Sequence, residues 1–215
     1  MNLQFQKFKN KLKNVPRTGW LELGVPEKYV ESVYAHIGST KDMLIELNDE
    51  YNLGLDIEKV EKMITIKELV KAYTKEEKSV ISGSNSKEVN RNIIIDIFNK
   101  YSLPNEFIEL YDEFILQETN EAKYVLMASK YESDVQAVDY FEQGFITLEA
   151  VLNDIKYYPD ELRKKVEELL NKYPIPPLAW LSYDRQYYNG NEIFTKLSDD
   201  LFNECINNYM NLKQR

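Results

Sequence analysis

The sequence predicts an all-α protein, and three features of its 215 residues support this prediction. Apolar side chains recur every three or four residues along most of the chain, which is the spacing of one face of an α-helix. No segment shows the strict alternation of apolar and polar residues that marks a half-buried strand. Only 7 Gly and 7 Pro are present, which is few for an all-β protein with its many tight turns. We therefore expect a helical bundle of some eight helices.

Helix-breaking residues delimit the first two predicted helices. An apolar stripe predicts a helix over residues 2–13, and Pro16 and Gly19 follow it in a loop. A longer helix is predicted over residues 29–51, and Gly54 behind it supplies the permissive backbone that helix C-termini favour.

The third predicted helix, residues 57–73, carries lysines where its pattern calls for apolar residues. Asp56 is suited to cap its N-terminus. Its apolar face is formed by four residues spaced at about 100° per residue: Ile57, Val60, Met63 and Ile64. The next two positions on that face are Lys67 and Lys71. Ammonium groups are seldom buried without partners, so either the helix rolls or these lysines point into a pocket.

Five further helices complete the predicted bundle. Ser86 is suited to cap the first of them, and Gly144 stops the third. In order, they are residues 86–101, a helix through Phe114, residues 120–142, a helix between Pro159 and Pro174, and residues 197–212. No composition break marks a domain boundary, so we expect a single domain over residues 1–215.

Composition and charge exclude several classes of function. The net charge of -9 disfavours non-specific binding to nucleic acid. No apolar run approaches the ~18 residues of a membrane span, no signal peptide is visible, and a single cysteine, Cys205, rules out an internal disulfide. We therefore expect a cytoplasmic protein with no membrane partner. His36 is the single histidine, so any metal site would rest on carboxylates plus at most one imidazole.

Three stretches of the chain together resemble one family. They are LKNVPRTGW at residues 12–20, ESVYAH at residues 31–36 and NEAKYVLMASKYESDVQAVDYFE at residues 120–142. In this order, with the third predicted helix between the last two, the chain resembles the HD-domain 5'-deoxynucleotidases, that is, HD domain-containing protein 2 and its bacterial relatives. The resemblance covers roughly residues 8–142, and it identifies residues from about 145 to 177 as a helical insertion. It implies an all-α HD fold, a homodimer, and a divalent-metal phosphohydrolase that removes phosphate from deoxynucleoside 5'-monophosphates.

The resemblance also implies a metal site, and this chain departs from it at most positions. The family holds its ion with a His from the second stretch, a His-Asp pair on the next helix and a distant Asp on a later helix. The first His corresponds to His36. The other site positions correspond, in order, to the Lys67-Glu68 pair, Lys71 at the catalytic Glu, the Lys75-Glu76 pair, and Ser129 at the distant Asp. A protonated lysine cannot ligate a metal. We therefore expect no metal cofactor, and we expect Lys67 to stand where the metal charge would be, paired with Glu68, Glu31 or another nearby acid.

Several of these residues have competing interpretations. The resemblance places Arg17 at a phosphate-contacting position beside Trp20, and the planar fork of an arginine suits phosphate. Alternatively, Arg17 is a structural loop arginine packed on Trp20. His36 is either a satisfied buried histidine or a ligand or acid–base group. Glu68 is either a residual metal ligand or the salt-bridge partner of a lysine.

Three hypotheses for function follow. The leading hypothesis is a non-catalytic HD-like protein, a pseudoenzyme, that binds a nucleotide or another phosphate-containing small molecule without a metal. Its candidate ligand-binding residues are Arg17, Trp20, His36, Lys67 and Lys71. The second is a phosphohydrolase with a rebuilt site, in which His36, Glu68 and other carboxylates hold Mn, Co or Mg. The third is a protein-interaction scaffold in which the old pocket has no ligand.

Overall fold

The computed structural model describes residues 3–76 and 86–213 and confirms the all-α prediction. The described residues form eleven α-helices: α1 Leu3–Lys11, α2 Thr18–Glu22, α3 Val33–Tyr51, α4 Ile57–Glu76, α5 Ser86–Tyr101, α6 Glu106–Leu116, α7 Asn120–Glu142, α8 Leu148–Asp154, α9 Asp160–Lys172, α10 Pro177–Tyr188 and α11 Glu192–Lys213. Three short 3-10 helices accompany them at Leu12–Asn14, Glu27–Tyr29 and Ile155–Tyr157. No helix in this described part has the length and apolarity needed to cross a membrane.

The described residues divide into two compact units. The first unit comprises the described residues of Met1–Arg17 and Glu31–Ser129. The second unit comprises those of Thr18–Val30 and Lys130–Arg215. A single domain with a helical insertion near residues 145–177 stays a prediction.

Helix α4 is the central helix of the first unit, where it packs against α3, α5 and α6. Residues 63–69 are all buried, so this part of the helix has no solvent-exposed face. A helix enclosed by its neighbours is normally apolar around its whole circumference. Three of these seven residues are nevertheless polar: Thr65, Lys67 and Glu68. Each of these polar side chains therefore needs a hydrogen-bonding partner inside the unit.

Side-chain caps fix where α3 and α4 begin. Helix α3 starts at Val33, later than the predicted residue 29, because Ser32 caps it. The Ser32 hydroxyl oxygen accepts a hydrogen bond from the backbone N–H of Ala35 at 3.1 Å. Asp56 caps α4 as predicted, since its Oδ1 accepts a hydrogen bond from the backbone N–H of Lys59 at 3.1 Å.

The segment Thr18–Val30 contributes aromatic residues to the core of the second unit. Trp20 lies edge-on to Tyr140, with ring centroids 5.3 Å apart, and edge-on to Trp180 at 6.4 Å. The Tyr140 hydroxyl donates a hydrogen bond to the carbonyl oxygen of Tyr29 at 3.0 Å. These contacts bury Trp20 and attach both ends of the segment to the same aromatic cluster.

Helices α2, α8 and α10 are absent from the sequence prediction, and each has a physical reason for that. Helices α2 and α8 are 5 and 7 residues long, which is too short to show a helical period. Helix α10 packs against both α9 and α11. Its buried stripe includes Pro177 and Asp184 beside Leu181 and Tyr188, so only part of that stripe is apolar in the sequence. Its clearest sequence signal is Pro177 in the first turn, a position that favours proline.

Candidate functional site

Lys67 and Glu68 form a buried ion pair on α4. The Lys67 Nζ donates a hydrogen bond to Glu68 Oε1 at 2.6 Å. The residues are 8% and 1% exposed, so water screens this pair very little. The expectation that Lys67 turns inward and pairs with a nearby acid agrees with this geometry.

His36 on α3 completes a three-residue cluster around one carboxylate oxygen. Its Nε2 lies 3.5 Å from the same Glu68 Oε1, and the residue is fully buried. We call His36, Glu68 and Lys67 the His–Glu–Lys cluster. Within the cluster, the Lys67 ammonium is bonded to the Glu68 carboxylate. A bonded partner of opposite charge is what makes a charged group tolerable inside a helical core.

Two of the four positions that the resemblance assigns to the metal carry residues of another ligand chemistry. Of the four, only His36 and Glu68 offer a nitrogen lone pair or a carboxylate oxygen. Lys67 brings a positive charge to 2.6 Å from the carboxylate oxygen that a cation would need. Ser129, which is 4% exposed, has a hydroxyl where the family has a carboxylate. Two of these four positions therefore lack a ligand atom, and one of the two places an ammonium beside the Glu68 carboxylate.

Arg17 is the last residue of the first unit before the segment Thr18–Val30, which belongs to the second unit. Its Nη1 donates a short hydrogen bond to Glu31 Oε1. The backbone holds the same two residues together, because Arg17 N–H donates to the Glu31 carbonyl at 3.0 Å and Val33 N–H donates to the Val15 carbonyl at 2.8 Å. One edge of the arginine fork is therefore already occupied by a carboxylate. The sequence did not identify Glu31 as the partner of Arg17, although Glu31 opens the second of the three family-like stretches.

The other two predicted ligand residues are Trp20 and Lys71. Trp20 belongs to the second unit, where its ring is enclosed by Tyr140 and Trp180. The side chain of Lys71 lies outside the part of the structure that is described, and so do the side chains of Lys75 and Glu76. A ligand role for Trp20 and for Lys71 stays a prediction.

A shallow cleft of 330 Å³ is present elsewhere in the first unit, and its residues are not those of the cluster. It is lined by Asp56, Glu58, Lys59, Lys62, Glu106 and Leu110. Both lysines are already paired: Lys59 with Glu113 at 2.7 Å, and Lys62 with Glu106 at 2.8 Å. The hydrogen bonds that the lysines donate to these carboxylates raise the pKa of both lysines. The cleft is therefore a surface ion-pair network, and it supplies no unbalanced charge for an anion.

Comparisons with known proteins define the class. An HD domain family model matches residues 9–170. The 5'-deoxynucleotidase HDDC2 of Dictyostelium discoideum is 32% identical over 152 residues, which are 66% of this chain and 78% of that protein. A solved structure, a conserved hypothetical protein from Pyrococcus furiosus, is similar with a TM-score of 0.51 and 25% identity, covering 79% of this chain and 99% of that one. The chain belongs to the HD domain family. Its predicted membership in the 5'-deoxynucleotidase branch of that family is confirmed.

Proposed function

We propose that this chain is a non-catalytic HD-family protein that binds a nucleotide or another phosphate-bearing small molecule without a metal. The observation that carries the proposal is the buried ion pair of Lys67 and Glu68, with 2.6 Å between Nζ and Oε1. An ammonium at this place neutralises the carboxylate that a metal would need. Hydrolysis by the family's route depends on a metal that polarises phosphate and activates water. A chain that holds lysine there loses both contributions.

The class of ligand comes from the relative and from the chemistry of Arg17. The similar Dictyostelium protein is named a 5'-deoxynucleotidase, so a deoxynucleoside 5'-monophosphate is the first ligand to test. Arg17 is half-buried, and it already holds one carboxylate in a charge-assisted bond. A phosphate dianion offers more charge and more acceptor oxygens than Glu31 does. We propose that phosphate either binds the Arg17 guanidinium beside Glu31 or displaces Glu31 from it.

The test is thermal unfolding of chelator-treated protein with a panel of deoxynucleoside monophosphates and with inorganic phosphate. A ligand present at about 100 times its Kd stabilises the native state by about 2.7 kcal/mol, which is easily measured. We expect a ligand-induced rise in Tm for the wild type and its loss in Arg17→Ala. Lys62→Ala is the matched control, because it also removes a first-unit cation that is paired with carboxylates, Glu58 at 2.9 Å and Glu106 at 2.8 Å. No shift with any nucleotide or with phosphate contradicts the proposal.

A second candidate function is a metal-dependent phosphohydrolase with a rebuilt site. Two observations favour it: His36 Nε2 and Glu68 Oε1 lie 3.5 Å apart, and the similar relative is named for this activity. It predicts release of phosphate from deoxynucleoside monophosphates with Mn, Co or Mg. It also predicts that a chelator abolishes that release, and that Glu68→Gln abolishes it even in protein whose circular dichroism shows that it is folded. Phosphate release that survives both treatments would point to a contaminating phosphatase.

A homodimer is proposed from the resemblance, and a cytoplasmic location is proposed from the composition of the sequence. Light scattering coupled to size-exclusion chromatography tests the first, and cell fractionation tests the second. A monomer at micromolar concentration would contradict the dimer without affecting the ligand proposal.

A further inference from the structure

Two buried aspartates lie in the second unit, outside the positions used by the proposed function. Asp134 on α7 is 1% exposed, and Asp184 on α10 is 6% exposed. The Tyr188 hydroxyl donates a hydrogen bond to Asp134 Oδ2 at 2.9 Å. Lys130 Nζ donates a hydrogen bond to Asp184 Oδ1 at 3.1 Å. Each carboxylate therefore has its own donor, but only one of the two donors carries a charge.

The charges of this group do not balance when both aspartates are ionised. Lys130 is one turn from Asp134 on α7, yet its ammonium is bonded to Asp184, and it also lies over the Tyr187 ring at 4.6 Å. Ionised Asp134 would have a neutral phenol as its bonded partner and a second carboxylate nearby. Burial raises the pKa of Asp134 well above its ordinary value, and repulsion by Asp184 raises it further. The Tyr188 hydrogen bond and the Lys130 charge act in the opposite direction without cancelling these effects.

The other ionisable groups around Asp134 do not supply the missing positive charge. Tyr131 lies on α7, and Tyr158 directly follows the third 3-10 helix. Burial is the largest cause of the raised pKa of both phenols, and the negative charge of Asp134 raises it further. From α11, Asp200 and Glu204 act on Tyr131 and add only negative charge. Burial also raises the pKa of Asp184, against the lowering effect of Lys130. Every group described here except Lys130 is therefore neutral or acidic.

We propose that Asp134 is a proton-operated switch in the second unit, protonated in the folded state and released to the ionised state as the solution becomes alkaline. The direction follows from linkage. A carboxyl group that holds its proton more tightly when folded than when unfolded contributes stability that is fully present below the unfolded pKa. That contribution disappears as the pH rises through the folded pKa. The folded second unit is accordingly more stable in acid and less stable in alkali.

The experiment is urea unfolding at a series of pH values from about 5 to about 9, followed by tryptophan fluorescence. Both tryptophans of the chain, Trp20 and Trp180, belong to the second unit, so their emission reports this unit. We compare the wild type with Asp134→Asn, whose amide oxygen still accepts from Tyr188 but cannot ionise. Relative to the variant, the wild-type equilibrium constant for folding should fall by up to about tenfold per pH unit across the window. Asp139→Asn, at an exposed position of the same helix, is the matched control and should follow the wild type.

Two further measurements keep the proposal testable if Asp134→Asn does not fold. Tyr188→Phe removes the hydrogen bond that favours the ionised form, so the loss of stability should move to higher pH. Infrared spectra of the wild type at about pH 6 should show the carbonyl band of a protonated carboxylic acid, since exposed carboxyl groups are ionised there. Equal pH slopes for the wild type and Asp134→Asn would overturn the proposal. Absence of the infrared band, or no shift in Tyr188→Phe, would overturn it as well.

Discussion

Replacing Glu68 with glutamine should strongly destabilise the first unit, because it removes the carboxylate that is hydrogen-bonded to the buried Lys67 ammonium. Coulomb's law gives about 6 kcal/mol for unit charges 2.6 Å apart at an effective dielectric constant of about 20. Part of this attraction offsets the desolvation of the two groups. Breaking one side of a buried pair typically destabilises a protein by about 3–5 kcal/mol, and we expect Glu68→Gln to fall in this range.

The assay is urea unfolding followed by far-ultraviolet circular dichroism, with the helical signal as the readout. The matched control is Glu58→Gln on the same helix. Glu58 is paired with Lys62 at 2.9 Å, but its side chain is 81% exposed. An exposed pair contributes below about 1 kcal/mol, so this control should unfold close to the wild type.

A double variant separates the ion pair from simple loss of packing. Lys67→Met with Glu68→Gln removes both charges, and it should be more stable than Glu68→Gln alone, because the ammonium that lost its bonded carboxylate is removed as well. If Glu68→Gln unfolds within about 1 kcal/mol of the wild type, the buried pair does not exist in solution. The account of the His–Glu–Lys cluster would then be refuted.

Three further predictions concern separate parts of the chain. The triple substitution Lys67→His, Glu68→Asp and Ser129→Asp restores the ligand types that the family uses. Titration calorimetry should then show that the variant binds about one equivalent of Mn or Co. A folded variant that binds no metal would contradict the assignment of these positions. Burial raises the pKa of the Cys205 thiol to about 11, so the native protein should react with a thiol reagent only at its rate of unfolding, and rapid stoichiometric labelling would show a different environment. Ser32→Ala removes the cap of α3 and should lower the unfolding free energy by about 1 kcal/mol in the same urea assay, a value that Ser39→Ala, an exposed position inside that helix, should not reach.

The sequence predicted most helices because their signals are local. Asp56 caps α4 and Ser32 caps α3 through contacts between residues three positions apart, which a pattern can show. Helix α10 was missed because two positions of its buried stripe are Pro177 and Asp184. A search for apolar residues at helical spacing does not find a stripe that these two residues interrupt.

The candidate site could be predicted only in part, because its geometry depends on contacts between residues that are distant in the sequence. The phase of α4 suggested that Lys67 shares one apolar face, whereas residues 63–69 are buried all around the helix. Inward placement of Lys67 therefore follows from the surrounding helices, and helical phase alone could not establish it. The partner of Arg17 could not be predicted from spacing either, since Glu31 is 14 residues away in the sequence. An antiparallel β-bridge between Pro16 and Ser32 brings the two residues together.

Elemental analysis for bound divalent metal tests the central claim most directly. The purified, untagged protein is exposed to Mn, Co, Mg and Zn, desalted, and analysed beside His36→Ala. The buried Lys67–Glu68 pair predicts no retained metal in either protein. Near-stoichiometric metal in the wild type that disappears in His36→Ala would contradict the account, and it would restore a metal-dependent phosphohydrolase as the function of this chain.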